Sequence, residues 1–238
     1  MTLDSRAGTT EPATLIELVE SSAATIFNVL EEASLGLVGA LQSLPGSRRA
    51  DALRLLEIAC RDGLTSNGDL VGMGFVGAPE REFSAELQIA WWRKQGTEIR
   101  TKKHVLNPAS DSYYDYNTSE WFATVRTTGK PYISAPYVDS WGTDELTITA
   151  AIPLSVHGVF VGVMATDLDQ GRYLKPIERL LLKDHNLALV DSEDRIILSS
   201  IPVLTAGMSL HRYLKQTDGE PGTRVQSELT HWQVVELL

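Results

Sequence analysis

Apolar residues recur along the first fifth of the chain as Leu15, Val19, Ile26, Leu30, Ala33, Leu37, Leu41 and Leu44. Steps of three, four and seven put them on one stripe of a helix. Thr10 offers a cap, Pro12 suits the first turn, and Pro45-Gly46 stops the run. A helix from Pro12 to Ser43 is about 45–50 Å long at 1.5 Å per residue. One small domain cannot cover it all, so part of it is expected as a homodimer face. A helix laid across its own sheet is the other reading. Residues 1–10 are polar and read as disordered.

A second stripe, Leu53, Leu55, Leu56 and Ile58, predicts a helix over Arg48–Arg61, with turns at Asp62-Gly63 and Asn67-Gly68. The period then shortens. Leu70–Val76, Ala85–Arg93 and Glu98–Leu106 read as strands, although Ala85–Arg93 also suits a helix. A short helix is expected over Ser119–Thr127, closed by Gly129. Strands follow near Pro131–Val138, Glu145–Leu154 and Val159–Asp167. Gly171–Lys183 is an amphipathic helix with Leu174, Ile177, Leu180 and Leu181 on one side. Leu187–Asp191 and Arg195–Ser199 form a hairpin, Leu210–Gln216 a short helix and Gln233–Leu237 a last strand. One long helix followed by antiparallel strands with inserted helices is an α+β pattern rather than alternating βαβ.

From Leu146 to Thr166 there is no Asp, Glu, Lys or Arg, a length sufficient to cross a bilayer. Pro153 interrupts it and His157-Gly158 lies near its middle, so two buried strands and a tight turn account for it better. With no secretory signal in the first twenty residues, the chain is expected to be cytoplasmic and off the membrane.

Composition narrows the function. The 238 residues carry 21 basic and 31 acidic side chains, a net charge of −10. This opposes a phosphate-binding face, so nucleic acid is not an expected partner. Cys60 is the sole cysteine, which excludes an internal disulfide and any CxxC motif; its apolar neighbours mark it as core. No GxGxxG, P-loop, HExxH or GxSxG pattern occurs, and the five histidines lack metal-ligand spacing. Neither metal nor cofactor nor catalytic residue is expected. The carboxylate pairs Asp139 with Asp144, and Asp167 with Asp169, would serve acid–base chemistry only if brought into one pocket.

The block Tyr113-Tyr114-Asp115-Tyr116, Glu120-Trp121-Phe122, Gly129-Lys130-Pro131, Ala135-Pro136-Tyr137-Val138-Asp139, Thr149, Pro153, Gly158 to Val163 and Ala165-Thr166-Asp167 resembles the ligand-binding part of a Cache domain. Cache domains are the extended PAS-like sensor modules of bacterial chemoreceptors and sensor kinases. The resemblance is strongest over residues 110–200. It implies a long N-terminal helix packed on an antiparallel PAS-like sheet; as a departure from the family, the transmembrane helices and output domain typical of its members are not expected here. The domain plan is then 1–10 disordered, 11–61 helical, and 62–238 Cache-like, with a small second lobe from about 184.

The resemblance also implies a ligand site. Tyr114, Tyr116, Trp121, Phe122 and Tyr137 would supply its walls, and Asp139 and Asp167 its negative charge. Aromatic faces with carboxylates suit an ammonium group. In amino-acid-binding members an arginine two residues before the tryptophan clamps the ligand carboxylate; Ser119 stands there. The reading is therefore a stand-alone sensor for a cationic amine, signalling to a partner protein. Arg126 keeps an amino acid or small carboxylate open as ligand. An enzyme using Asp139 or Asp167 as general base is the alternative. Each residue has a structural role to set beside this: Trp121 and Phe122 as anchors of the short helix, Tyr137 as core, Asp139 as cap of the turn to Gly142, and Asp167 or Asp169 as cap of the next helix.

Overall fold

The computed structural model describes residues 11–42, 49–81, 83–111, 113–139, 145–184 and 186–238. The expectations for residues 1–10, Pro45-Gly46, the turn to Gly142 and Asp144 lie outside the described residues. The chain divides into two compact units, one of Thr25–Arg172 and one of the residues up to Ala24 with Tyr173–Leu238.

The predicted first helix is α1 (Pro12–Gln42). Its stripe of Leu15, Val19, Ile26, Leu30, Ala33 and Leu37 is buried. Among the described residues α1 is also the one helix long and apolar enough to cross a bilayer, a test that core helices pass as well.

In the Thr25–Arg172 unit, α2 (Arg49–Ser66) precedes β1 (Leu70–Gly77), the one-turn α3 (Ala85–Gln88), β2 (Ile89–Gln95) and β3 (Glu98–Lys102). After a 3-10 turn come α4 (Glu120–Thr128), β4 (Tyr132–Ile133), β5 (Tyr137–Val138), β6 (Leu146–Val156) and β7 (Val159–Asp169). Antiparallel pairing gives one sheet ordered β3-β2-β1-β7-β6-β4, with β5 also on β6. The uncharged 146–166 stretch is the β6–β7 hairpin. His157 and Gly158 both take positive φ, 51° and 77°, as a two-residue primed turn requires.

The sheet's two faces follow from strand alternation. Met73, Phe75, Ala90, Trp92, Ile148 and Met164 lie on one face and are buried; α2 packs on β1 and β2. On the other, α4 packs against β6 and β7, burying Trp121, Phe122 and Val125 with Val76, Ile89, Trp91, Ala151, Val163 and Ala165.

Three details differ from the sequence expectation. First, α2 runs one turn beyond Arg61, straight through Asp62-Gly63. Gly63 serves close packing instead of a turn, since a Cβ there would stand 2.9 Å from the Met73 sulfur. Second, Ala85–Arg93 is neither all strand nor all helix but one helical turn feeding a strand. Third, Pro131–Val138 is split into two short strands by Ser134, Ala135 and Pro136. Cys60 is fully buried, and burial raises its thiol pKa far above the ordinary value, as a core cysteine requires.

The other unit holds α5 (Gln170–Leu181) from Tyr173 onward, β8 (Leu187–Val190), β9 (Ile196–Ser199), α6 (Leu210–Thr217), β10 (Pro221–Gln226) and β11 (Gln233–Leu237). Its sheet is ordered β10-β11-β8-β9, around Ala188, Val190, Ile196, Leu204, Leu210, Val235 and Leu237. Strand β10 had no alternation to announce it: its residues are mostly exposed and it carries Pro221 at its first position.

Candidate functional site

On the α4 side of the sheet, β1 offers Gly72 and Gly74 beside Trp91 of β2. A Cβ on Gly74 would lie 2.1 Å from the Ala90 carbonyl oxygen and 2.9 Å from the Trp91 ring. One on Gly72 would meet Trp91 Nε1 at 2.7 Å and Asp167 Oδ2 at 3.2 Å. Glycine at both positions therefore lets the indole of Trp91 close over β1 next to Asp167. This is the physical reason for the glycine-interspersed strand.

Trp91 and Asp167 line one cavity together with Val76, Ile89, Lys102, His104, Tyr114, Trp121, Tyr137 and Asp139. Strand pairing sets Lys102 of β3 opposite Trp91. Helix α4 brings Trp121, and β5 brings Tyr137 beside Asp139. The cavity is small, about 20 Å³, room for a single water. Outside it lies a depression of about 330 Å³ lined by Ser119, Glu120, Ser134 and Val138. Tyr114, Trp121, Tyr137 and Asp139 border both spaces and so form the partition between them.

Hydrogen bonds fix the walls. Thr149 Oγ1 donates to Asp167 Oδ1 at 2.9 Å and, having one proton, accepts from Tyr137 Oη at 2.8 Å. Tyr114 bonds to the Ser119 hydroxyl and stacks on His104, ring centroids 5.0 Å apart. The Tyr114 amide donates to the Val105 carbonyl at 2.9 Å, holding the loop against the end of β3.

The charges are mutually adjusted. Burial, then the charge of Asp139, pushes the Asp167 carboxyl up to about 7; Thr149, Lys102 and Arg93 act the other way. Lys102 is lowered by burial and pulled back by Asp139 first among the carboxylates. His104 is pushed down to about 4 by burial and by Lys102, so its ring is neutral at physiological pH, and its Nδ1 has no hydrogen-bond partner. Burial raises both Tyr114 and Tyr137, which stay protonated.

Of the seven site residues named from sequence, Tyr114, Trp121, Tyr137, Asp139 and Asp167 meet in this cavity. Tyr116 and Phe122 do not line it. Tyr116 donates to the Gly77 carbonyl at 3.0 Å and accepts from Gln88 at 2.8 Å, so its hydroxyl is committed inside the core. Phe122 is fully buried, edge-on to Tyr116, Trp121 and Phe160. Adjacent residues on a helix diverge by 100°, so Trp121 and Phe122 could not both face one pocket. Asp169 takes the capping role, accepting from the Arg172 amide at 3.0 Å, which leaves Asp167 to the cavity. Arg126 is ion-paired with Glu80 at 3.2 Å and lines neither space.

Sequence reasoning missed Lys102 and His104. Their signal was alternation: on β3 and just beyond, every second residue falls on the face of Trp91. Among the described residues no cluster of His, Cys, Asp and Glu could hold a metal ion.

The Thr25–Arg172 unit thus carries an aromatic and acidic cavity between its antiparallel sheet and a short helix. The model of the first PDC sensor domain of methyl-accepting chemotaxis protein-like proteins matches residues 61–172, and over this stretch the chain is similar to that family. Solved structures agree on the fold. The extracellular domain of the candidate histidine kinase soHK1S-Z6 is 19% identical, with TM-score 0.57 over 96% of this chain and 97% of that one. The ligand-binding domain of the Pseudomonas aeruginosa PAO1 amino-acid chemoreceptor PctC, in complex with GABA, is 17% identical, with TM-score 0.57 over 95% of each chain. That of the Campylobacter jejuni chemoreceptor Tlp3, in complex with L-valine, is 12% identical, with TM-score 0.58 over 95% of this chain and 90% of that one. No curated protein matches the sequence.

Proposed function

We propose that the Thr25–Arg172 unit senses a small molecule bearing a protonated amine, and that this state is passed to a partner protein. The observation that carries the reading is the lining of one cavity by two carboxylates, Asp139 and Asp167, and four aromatic residues, Trp91, Tyr114, Trp121 and Tyr137. An ammonium gains from ring faces and from charge-assisted bonds to carboxylates, and gains most where water is excluded. Relatives of the same fold seen with GABA and L-valine, both amines, support the reading.

Thermal-shift and calorimetric screens of primary amines, amino acids and carboxylates test it. Amine-bearing compounds should stabilise the protein, and Asp139→Asn or Trp121→Ala should abolish the effect. Stabilisation by carboxylates that lack an amine, or by nothing in the screen, would overturn it. A second reading, an enzyme with Asp167 as general base, draws on a carboxyl that titrates near 7. Mass spectrometry of incubated ligands decides between them, since a sensor returns its ligand unchanged. The homodimer is also part of the proposal: Leu35, Leu55 and Ile58 stay exposed along a groove between α1 and α2, and sedimentation velocity should find two copies.

A further inference from the structure

Arg93 of β2 and Glu145, which directly precedes β6, form an ion pair although β1 and β7 lie between their strands. By alternation both sit on the face of Trp91 and Asp167. Arg93 stands opposite Gly72 and Gly72 opposite Asp167. The arginine and the aspartate are thus rooted about 10 Å apart at ~4.8 Å per strand, with no side chain rising from the residue between them. The pair arches over β7 as a strap. Asp167 borders the inner cavity and also a hollow of about 270 Å³, whose lining includes Arg93, Glu145, Thr147 and Asp169. The Nε of Arg93 is buried without a hydrogen-bond partner. Asp169 is already held by Arg172, through its amide at 3.0 Å and its guanidinium at 3.5 Å.

Charge matching shows what the strap does. Lys102 and a ligand ammonium match Asp139 and Asp167 one for one. Arg93 also acts on Asp167, which makes it a third cation for two acids, and Glu145 takes it up. We propose that Glu145 is a positioning residue of this site: by holding Arg93 in the strap it keeps the arginine off Asp167 and leaves that carboxylate to the ligand ammonium. The proposal rests on the amine-sensing reading and deepens it. Without Glu145, Arg93 has an unused donor, and Asp167 stands in line with it across Gly72. An arginine is always charged and suits a carboxylate through two parallel hydrogen bonds, and this one is already in place, so it outcompetes an amine arriving from solution.

The test is a double-mutant cycle. Calorimetry with propylamine, isobutylamine, GABA and L-valine is run on the wild type, Glu145→Gln, Arg93→Gln and the double variant, with circular dichroism as a folding control. Glu145→Gln should weaken whichever of these amines the wild type binds by about 10- to 100-fold, the range of one hydrogen-bonded charge pair. Arg93→Gln should change little by itself yet restore binding in the Glu145→Gln background. A general field effect would instead make Arg93→Gln tighten binding by the same factor in both backgrounds. Carbon-13 titration of the Asp167 carboxyl in ligand-free protein gives a second readout. Its midpoint should fall by about 1–3 pH units in Glu145→Gln and return to the wild-type value or above in the double variant. The other charges acting on it, Asp139 just past β5 and Lys102 of β3, are untouched in all four proteins. An additive cycle, full affinity in Glu145→Gln, weak binding in the double variant or an unmoved midpoint would each overturn the proposal, and the amine reading would stand. If the wild type binds none of the four compounds, the amine reading falls and takes this proposal with it.

Discussion

Thr149 donates its hydroxyl to the Asp167 carboxyl across 2.9 Å, between neighbouring strands β6 and β7. The same oxygen accepts from Tyr137, so a chain of two hydrogen bonds runs from the cavity partition to the buried acid. A bond donated to a carboxylate favours its charged form. Thr149→Val, nearly the same volume, should therefore drive Asp167 further up, by about one pKa unit for a bond of 1–1.5 kcal/mol. Because the ammonium reading needs Asp167 ionised, the affinity-against-pH curve of a bound amine should rise through a midpoint about one unit more alkaline in Thr149→Val. Titrations from pH 5 to 9 locate both midpoints; coincident curves would detach Thr149 from the site.

Asp167 also links stability to pH. Its carboxyl goes from an ordinary value of 3.8 up to about 7 on folding, through burial and then Asp139, against the pull of Thr149, Lys102 and Arg93. Between those values the folded chain holds a proton that the unfolded chain has released. Stability from this group is intact below pH 4 and lost as pH rises toward 7, at about 1.4 kcal/mol per unit. Asp167→Asn keeps an oxygen for Thr149 and removes the titration. Ligand-free Asp167→Asn should therefore gain melting temperature over the wild type more at pH 8 than at pH 5. An equal gain at both would contradict the raised carboxyl.

Gly74 and Gly72 separate two costs of adding one methyl group. At Gly74 the new carbon meets a backbone oxygen at 2.1 Å and the strand itself must move; at Gly72 it meets the edge of the Trp91 ring, which can turn. Gly74→Ala should destabilise by more than the ~1–3 kcal/mol of ordinary overpacking. Gly72→Ala should lie within that range yet lose ligand binding, since the displaced indole enters a cavity of about 20 Å³. Urea denaturation and amine titration of the two variants check the order.

Those glycines show where the sequence was legible. The stripe of α1, the His157-Gly158 turn and the αL cap at Gly129, φ 65°, follow from local chemistry, and each element formed where its residues required. Five of the residues that meet in the cavity were named through the resemblance to a Cache domain, which the order of aromatic and acidic residues from Tyr113 to Asp167 carries. Tyr116 and Phe122 were misplaced because residue type does not tell which face a side chain takes within a short helical stretch. Lys102 was illegible for a different reason. It looks like any edge-strand lysine, and only strand order brings β3 alongside β2 so that Lys102 stands opposite Trp91. Gly63 misled because the mark of a turn and of a close helix–sheet approach is the same residue.

The partition makes the last prediction. An amine of five or six heavy atoms exceeds a space that holds one water, while the outer depression of about 330 Å³ has ample volume. Binding between Asp139 and Asp167 therefore requires Tyr114, Trp121 or Tyr137 to swing and join the two spaces. Trp121 borders both, Trp91 borders the inner one, and Trp92 is buried on the opposite face of the sheet. Trp232 belongs to the other unit, edge-on to Tyr173 at 6.5 Å. Trp141 lies outside the described residues and is replaced by Phe throughout the series; in that background ligand should change the tryptophan fluorescence. Trp121→Phe should remove most of that change, Trp91→Phe part of it, and Trp232→Phe none. A signal that survives both Trp121→Phe and Trp91→Phe at full amplitude would mean that the cavity between Asp139 and Asp167 is not the ligand's site.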